Sequence, residues 1–507
     1  MRMDKTSGRK TRLRQTTCLA AGLVTLGLAL LPGAVHAQSL DPSTPVGTDL
    51  SLTGPTASTL PADPADPTAS ATQKPVKKKK KLVAADDAAL LNQRAARLTV
   101  PEEPITAEPL PGRENTREAP LDGLRPTLRA EPTETPGISV GSFILRPSVN
   151  TSVNSETTKS NGDSTTRTFG QTDLKGTLTS DWSRHQLTVT GEGILQKNIS
   201  GDAQTEPFAS LNTDLRLDLA DDTVGHLTAG YSLARESATD PNAVLGAADQ
   251  SAVQSLTAGA SLERQLGLLR GLAAVDITRT TYSDVTLTDG STLSLRDRDR
   301  NTGNLRLRVG YEISPALVPF LEASAGRTIY DLGTDTGGYE RDTKSLGGKA
   351  GVQLDFGEKL KGELGLGYRR ATFADARLAA VDAVVLDAAA NWSPRRGTDI
   401  TFGLLTSIQP SVVPGQSGYI NRAMTLTLNE QVLDNLVAKL LGGVTWRNYR
   451  PSGSSSDEVV TTLGTGLAYG LNRYVDLTGD ISWERTAPDT GSNTDVLRAG
   501  VGLTLKR

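Results

Sequence analysis

The sequence predicts an all-β fold, a closed antiparallel β-barrel of about eighteen strands. From Gly137 to Arg507 one unit recurs nine times: two alternating strands, a tight turn between them and a longer polar loop before the next unit. In Phe208–Leu219, leucines alternate with Asn, Asp and Arg, so this strand has one face for an apolar medium and one for water. An even number of strands, with short turns at one end and longer loops at the other, is typical of barrels that span the bacterial outer membrane.

Residues 1–37 have the pattern of a secretory signal peptide. Basic residues from Arg2 to Arg14 precede the apolar core Cys18–Leu31, and a small-x-small cleavage signal ends at Ala37. This core is shorter than the roughly 20 residues of a membrane-spanning helix, so the segment is predicted to direct export and to be removed. Cys18 is the single cysteine of the chain, so the mature protein would have neither a disulfide nor thiol chemistry.

Residues 38–136 are predicted to be a disordered tail on the periplasmic side. The segment is rich in Pro, Ala and Thr and has almost no aromatic residues, so it cannot bury enough apolar surface to offset its ordering entropy. Within it, the lysine run Lys77–Lys81 is followed by Val83–Leu98, a candidate short helix. The lysines would contact an anionic surface or a periplasmic partner, or would form a solvated tether; the sequence favours the tether.

Residues 137–507 are predicted to form the barrel. The predicted strands are 138–153, 166–182, 185–198, 207–220, 225–236, 250–264, 266–283, 293–313, 317–331, 340–356, 359–375, 378–393, 397–409, 416–431, 434–450, 456–470, 473–487 and 493–507. Hydrophobic residues make up only 37% of the chain. A barrel tolerates this low content because every second strand residue faces a watery interior.

Aromatic residues support a transmembrane orientation. One group lies at the tight-turn ends and a second lies about a membrane thickness further along the strands, as expected where rings lie at headgroup level. The first group is Trp182, Tyr311, Phe356, Trp392, Tyr469 and Tyr474, and the second is Phe373, Trp446 and Trp483. A soluble sandwich would need polar outer faces, whereas one face here is apolar in strand after strand. The tight turns and both termini are therefore predicted to be periplasmic, with the longer loops outside the cell.

Three features resemble the putative β-barrel porin 2 family of Gram-negative outer-membrane proteins: the opening Gly141–Val149, the segment Trp392–Phe402 and the tail-then-barrel layout. The resemblance covers 137–507. It implies location in the outer membrane, contact with outer-membrane lipid and lipopolysaccharide, and insertion by the barrel-assembly machinery. One departure concerns that machinery, which usually recognises a terminal Phe or Trp, whereas this chain ends Leu503-Thr-Leu-Lys-Arg507. Assembly would then depend on the alternating register of Val501, Leu503 and Leu505.

Catalysis is not predicted. Outside the leader the histidines are His185 and His226, and both fall at predicted periplasmic turns. Outer-membrane enzymes resemble one another in placing a histidine-dependent site near the outer rim, where substrate arrives. Solvated turn residues are therefore the favoured interpretation, and no metal or cofactor is predicted. The formal net charge of −3, reached despite a basic leader, argues against a nucleic-acid partner.

The sharpest polar feature is a run of arginines in the predicted strand 293–313. They share one parity, while Leu305, Leu307, Val309 and Tyr311 occupy the opposite, lipid-compatible face. The predicted lumen ladder consists of Arg296, Arg298, Arg300, Arg306 and Arg308. Such a column would attract anions to the channel, or would brace the barrel by ion pairs with acids on neighbouring strands, such as Asp276 and Glu322. The sequence slightly favours bracing, and the two effects can coexist.

A barrel of eighteen strands is too wide for side chains alone to fill, which predicts a porin-like channel for passive diffusion of small hydrophilic solutes. Two alternatives stay open. One is a conduit for exopolysaccharide export, with the tail docked on periplasmic machinery. The other is a non-conducting scaffold or adhesin whose pore is plugged by inward-folded loops. Long ordered surface loops would favour the scaffold, but the longer predicted loops, near 154–165, 331–338 and 451–457, are small and polar.

Overall fold

The computed structural model describes residues 137–201, 203–219, 222–450 and 457–507. The predicted signal peptide 1–37 and the predicted tail 38–136, with its lysine run and candidate helix, lie outside the described residues.

Twenty-two strands and one short 3₁₀ helix make up the described chain. In chain order they are β1 (Ile138–Val140), β2 (Phe143–Ser160), β3 (Asp163–Ser180), β4 (Gln186–Ser200), β5 (Phe208–Asp218), β6 (Thr223–Arg235), β7 (Ala247–Asp249), β8 (Ala252–Leu266), β9 (Leu269–Tyr282), β10 (Val285–Leu287), β11 (Thr292–Leu293), η1 (Arg296–Arg298), β12 (Arg300–Tyr311), β13 (Leu317–Tyr330), β14 (Thr343–Asp355), β15 (Leu360–Phe373), β16 (Val381–Arg395), β17 (Thr398–Pro410), β18 (Gly418–Leu433), β19 (Leu436–Arg450), β20 (Glu458–Asn472), β21 (Val475–Pro488) and β22 (Thr494–Lys506).

Eighteen of these strands form one closed antiparallel barrel, which confirms the predicted fold class. Each long strand pairs with the next, and the last strand, β22, pairs back onto β2 from Ser160↔Thr494 to Ser148↔Lys506. The short β1 pairs with β2 below that point, and β7, β10 and β11 form a separate small sheet between barrel strands. Within the described ranges, no helix has the length and apolar composition that a membrane span requires.

The barrel has an apolar outer face and a polar inner face, the reverse of a water-soluble protein. Leucines such as Leu321 and Leu346 are 69% and 68% exposed on the outer face. On the inner face Thr278, Thr302 and Thr328 are buried, and hydroxyl groups on neighbouring strands bond to one another. This pattern is expected of a barrel that has lipid outside and a polar interior.

The strands that flank the predicted tight turns end within three residues of their predicted bounds, but the first predicted long loop is wrong. Instead of a loop near 154–165, β2 and β3 continue to a two-residue turn, Asn161-Gly162, whose φ angles are 52° and 91°. Both values fit the left-handed positions of a type I′ hairpin turn. Ser and Thr occupy both faces of these strand ends, so the hydrophobic period that reveals a strand is missing, although Thr itself favours strands.

Candidate functional site in the barrel lumen

The five predicted ladder arginines do not form one column. The predicted strand 293–313 is wrong in its outer part, because Arg296 and Arg298 lie in η1 and the barrel strand begins only at Arg300. Every residue from Arg296 to Arg300 is charged, so the segment offers no apolar face to the lipid and leaves the wall. Arg300, Arg306 and Arg308 remain on the inner face of β12, whose other face presents leucines to the membrane.

Arg308 lies at the centre of an ion-pair cluster near the tight-turn end. Its Nε is 2.7 Å from Glu322 Oε2, and its Nη1 and Nη2 donate to Glu363 at 2.6 and 2.9 Å. Lys349 approaches the same two glutamates at 3.6 and 3.8 Å and Asp387 at 3.1 Å. The Arg308 guanidinium lies 4.0 Å above the ring of Phe320. The five charged residues lie on five successive strands, so the cluster links β12 to β16.

A second cluster lies near the loop end, at the closing seam between β2 and β22. Glu156 is the register partner of Arg167 on one side and of Arg498 on the other. Its carboxylate is 2.7 Å from Arg167 Nε and 2.8 Å from Arg498 Nε, and Glu206 is 3.2 Å from Arg498 Nη2. The buried ring of Phe169 lies 4.3 Å from the Arg167 guanidinium. Sequence reasoning named none of these residues.

The outer end of the β17–β18 hairpin lies inside the barrel. Successive residues of a strand point to opposite faces, yet Thr406, Ser407, Ile408 and Gln409 are all at most 5% exposed. Tyr419 and its neighbours on β18 are equally buried. Both faces of the hairpin end are therefore covered, which a strand in a lipid-facing wall cannot achieve. We call residues 405–421 the tucked hairpin.

The tucked hairpin leaves the wall at the seam with β16. Among the described residues, the last ladder pair on the loop side of this seam is Ala388↔Leu404. Beyond it the Thr406 hydroxyl replaces the ladder, accepting from the Leu386 N–H at 3.2 Å and donating to its carbonyl at 3.0 Å. Ile408 then packs on Ala383 and Val385, which lie on the inner face of β16.

Two other loops fasten the tucked hairpin in place. Asn242, from the loop after β6, donates to the Pro410 carbonyl and accepts from the Val412 N–H, each at 3.2 Å. Arg341, which is 5% exposed, donates to the carbonyls of Gln416 and Val413 at 3.1 Å. These loops and η1 enclose a cavity of about 100 Å³ at the loop end of the barrel. Its lining includes Asn242, Tyr282, Arg298, Arg300, Tyr330 and Arg341.

Two buried carboxyl groups lie in the loop after β6. Burial, and then the neighbouring Asp240 carboxylate, raise the pKa of Glu236 to about 8 against the opposing charges of Arg298 and Arg300. Burial also raises the pKa of Asp240. Arg298 Nη1 is 3.7 Å from Glu236 Oε2 and donates to the Asn242 carbonyl at 2.9 Å. Burial therefore favours the protonated form of Glu236 over the charged form.

The two histidines lie far from this loop layer. His226 is near the tight-turn end of β6, with its Nδ1 3.0 Å from Asp214 Oδ1, and His185 is in the turn before β4. In the ranges that the structure describes, no group of three or more His, Cys, Asp or Glu residues could hold a metal ion.

The family model described as Putative beta-barrel porin 2 matches residues 131–507, which include the whole barrel and both ion-pair clusters. The chain belongs to this family. A member of the Putative beta-barrel porin 2 family is an outer-membrane β-barrel protein of the porin type, so the predicted membership and membrane location are confirmed. None of the curated proteins matches the chain.

Solved structures similar to this Putative beta-barrel porin 2 protein come from Pseudomonas aeruginosa and Acinetobacter baumannii. OpdL from Pseudomonas aeruginosa is 14% identical, with 71% of this chain and 99% of that chain covered and a TM-score of 0.35. OccK2 (OpdF) from Pseudomonas aeruginosa, solved in complex with glucuronate, is 11% identical, with 71% and 98% covered and a TM-score of 0.36. The siderophore receptor PirA from Acinetobacter baumannii is 9% identical, with 71% and 80% covered and a TM-score of 0.34.

Proposed function

We propose that the protein is an outer-membrane channel for passive diffusion of small hydrophilic solutes and that the tucked hairpin forms its narrowest zone. The supporting observation is the position of this hairpin, which is buried on both faces inside a barrel whose inner wall is polar. A polar wall suits hydrated solutes, and a constriction formed by an inward-folded segment limits their size. The tight turns and both termini would be periplasmic and the loop layer would face the exterior.

The arginines divide into two roles under this proposal. Arg308 braces the wall, because its guanidinium is shared between two glutamates and is buried. Arg298 and Arg300 line the cavity in the loop layer, where solutes would enter, so they are the better candidates for attracting anions. Arg296 is exposed beside that cavity and would contribute only a screened charge.

Release of the tucked hairpin tests the channel. Arg341→Gln removes the buried guanidinium that holds the carbonyls of residues 411–416, so single-channel conductance in a planar bilayer should rise above that of the native protein. Arg377→Gln is the matched control, because Arg377 is an exposed loop arginine that pairs with Asp375 instead. Equal conductance of all three proteins would contradict the assignment of the hairpin as the constriction.

A non-conducting scaffold is the second candidate, and the interlocked loops favour it. Ordered loops that close the outer end would be expected of a plugged barrel, and Asn242 and Arg341 provide such a closure. Absence of conductance from both the native protein and Arg341→Gln, in protein that still shows heat-modifiable migration, would support the scaffold over the channel. The polymer-export alternative depends on the tail outside the described residues and stays a prediction.

A further inference from the structure

Two cations oppose each other on the lipid-facing wall. Arg327 on β13 and Lys344 on β14 are register partners, and both side chains are exposed on the outer face. In the part of the chain that the structure describes, neither side chain has an ion pair or a side-chain hydrogen bond. Directly opposite residues have Cβ atoms about 5 Å apart, and like charges in this position destabilise a sheet. An anion from outside the protein would relieve this repulsion.

The pair lies at the outer boundary of the apolar band. Arg327 is ten residues from Leu317, where β13 begins at the tight-turn end, and Lys344 is ten residues from Leu354 near the same end of β14. Ten residues of a strand tilted by about 40° rise roughly 25 Å, the height of the apolar band of an outer-membrane barrel. The two cations are thus at the level of the outer-leaflet headgroups.

Neighbouring arginines at the same height are satisfied within the protein. Arg279 on β9 binds Asp331 through two contacts of 2.5 Å, and Arg370 on β15 lies 3.5 Å from Asp382. The central pair differs from them in having no acid on the outer face of either strand. Charge at this height is therefore compensated on the flanks and left uncompensated between them.

A shallow groove runs from the pair toward the membrane centre. Below Arg327 the outer face of β13 carries the small residues Ala325 and Ala323, which lie beside Leu346 and Gly348 of β14. Leu346, 68% exposed, forms the β14 side of the groove directly below Lys344, and Leu321, 69% exposed, closes its lower end. A groove of this shape can hold one acyl chain against the wall beneath a headgroup bound at the cations.

We propose that Arg327 and Lys344 bind the phosphate of a phosphorylated glycolipid of the outer leaflet, with one acyl chain along the Ala/Gly groove. A guanidinium can donate two parallel hydrogen bonds to a phosphate while an ammonium contributes a compact charge from the other side. This site lies on the outer wall and is independent of solute passage through the lumen.

Lipid titration tests the proposal. The full-length protein in a neutral non-ionic detergent is titrated with a synthetic diphosphorylated glucosamine-disaccharide lipid, with the same lipid after dephosphorylation, and with inorganic phosphate. The double variant Arg327→Gln/Lys344→Gln should bind the phosphorylated lipid at least about tenfold more weakly than the native protein, because two charge-assisted contacts are lost. Arg264→Gln is the matched control, since Arg264 is a lipid-facing exposed arginine near the tight-turn end of β8.

The unfolding temperature provides a second, independent measurement. The sign of the change caused by Lys344→Gln should depend on whether the phosphorylated lipid is present. In neutral detergent Lys344→Gln should unfold at a higher temperature than the native protein, because it removes the repulsion, whereas with the phosphorylated lipid present it should unfold at a lower temperature. Lys344→Arg should retain the lipid response. Equal binding of the dephosphorylated lipid, or an equal response to inorganic phosphate, would overturn the proposal. So would an unchanged lipid affinity in the double variant that still folds.

Discussion

The substitution Arg308→Gln separates bracing from selectivity within the lumen. Arg308 is 4% exposed and its partners Glu322 and Glu363 are 8% and 7% exposed, so all three charges are removed from water. The glutamine cannot replace a guanidinium that donates to two carboxylates at 2.6 to 2.9 Å. Two buried glutamates would then share Lys349, with Arg306 contributing a further positive charge to Glu322.

The expected loss of stability is large. Breaking a buried ion pair by removing one partner costs about 3–5 kcal/mol, since it leaves an uncompensated buried charge. Lys349 remains 3.6 and 3.8 Å from the two glutamates and relieves part of this penalty. We therefore expect the free energy of unfolding to fall by about 3 kcal/mol, the lower end of that range.

Urea unfolding in lipid vesicles, followed by heat-modifiable migration, measures this change, and reversal potentials in dilute salt are measured on the same protein. Arg306→Gln is the graded comparison: Arg306 is on the same strand and the same face, is only half buried and acts on Glu322 through its charge, so its replacement should cost less stability. Adding Glu363→Gln to Arg308→Gln should restore part of the lost stability. A loss below about 1 kcal/mol, the value of an exposed pair, together with a shift of the reversal potential toward cations, would refute the bracing role.

Three further predictions concern pH, topology and the tail. The pKa of Glu236 is about 8 in the folded protein and has its ordinary value of 4.5 in the unfolded chain. Between pH 4.5 and about 8 the folded state therefore binds one more proton than the unfolded state. Stability should therefore fall as pH rises from about 4.5 to about 8, and Glu236→Gln should remove this part of the slope in thermal unfolding scans. Asn161→Cys should react with a membrane-impermeant thiol reagent in intact cells, whereas Asn435→Cys should not. The opposite labelling pattern would show that the barrel has the reverse orientation in the membrane. Deleting residues 38–130 should leave a correctly inserted, heat-modifiable barrel, since this segment offers little apolar surface; loss of insertion would show that the tail is needed.

Local alternation predicted the wall of the barrel well because the membrane imposes a period of two on every strand. It failed where that period is absent although a strand is present, as at Thr157 and Thr166, which pair across the β2–β3 hairpin with polar residues on both faces. It failed in the opposite sense around Asp297, where alternating charges imitate a strand but have no apolar face.

The site depends on contacts that the sequence does not display. Between Thr406 and Tyr419 only two prolines and the hydroxyl of Thr406, on the face that should meet lipid, distinguish a tucked hairpin from a wall hairpin. The pairing of Glu156 with Arg167 follows from the turn at residues 161–162, which the Asn-Gly dipeptide signals in the sequence. Its pairing with Arg498 spans 342 positions and requires the closed barrel.

The position of Glu156 on the first long strand and of Arg498 on the last gives the closing seam a key for its register. Glu156 also pairs with Arg167 on the adjacent β3, whereas its contact with Arg498 requires the first and last strands of the wall to meet. A slip of one position along this seam would turn the Arg498 side chain outward, toward the lipid acyl chains. Glu156 would remain on the inner face, on the opposite side of the wall from Arg498. The cost of such a misplaced charge gives the nascent barrel a means of rejecting closures that are shifted by one position.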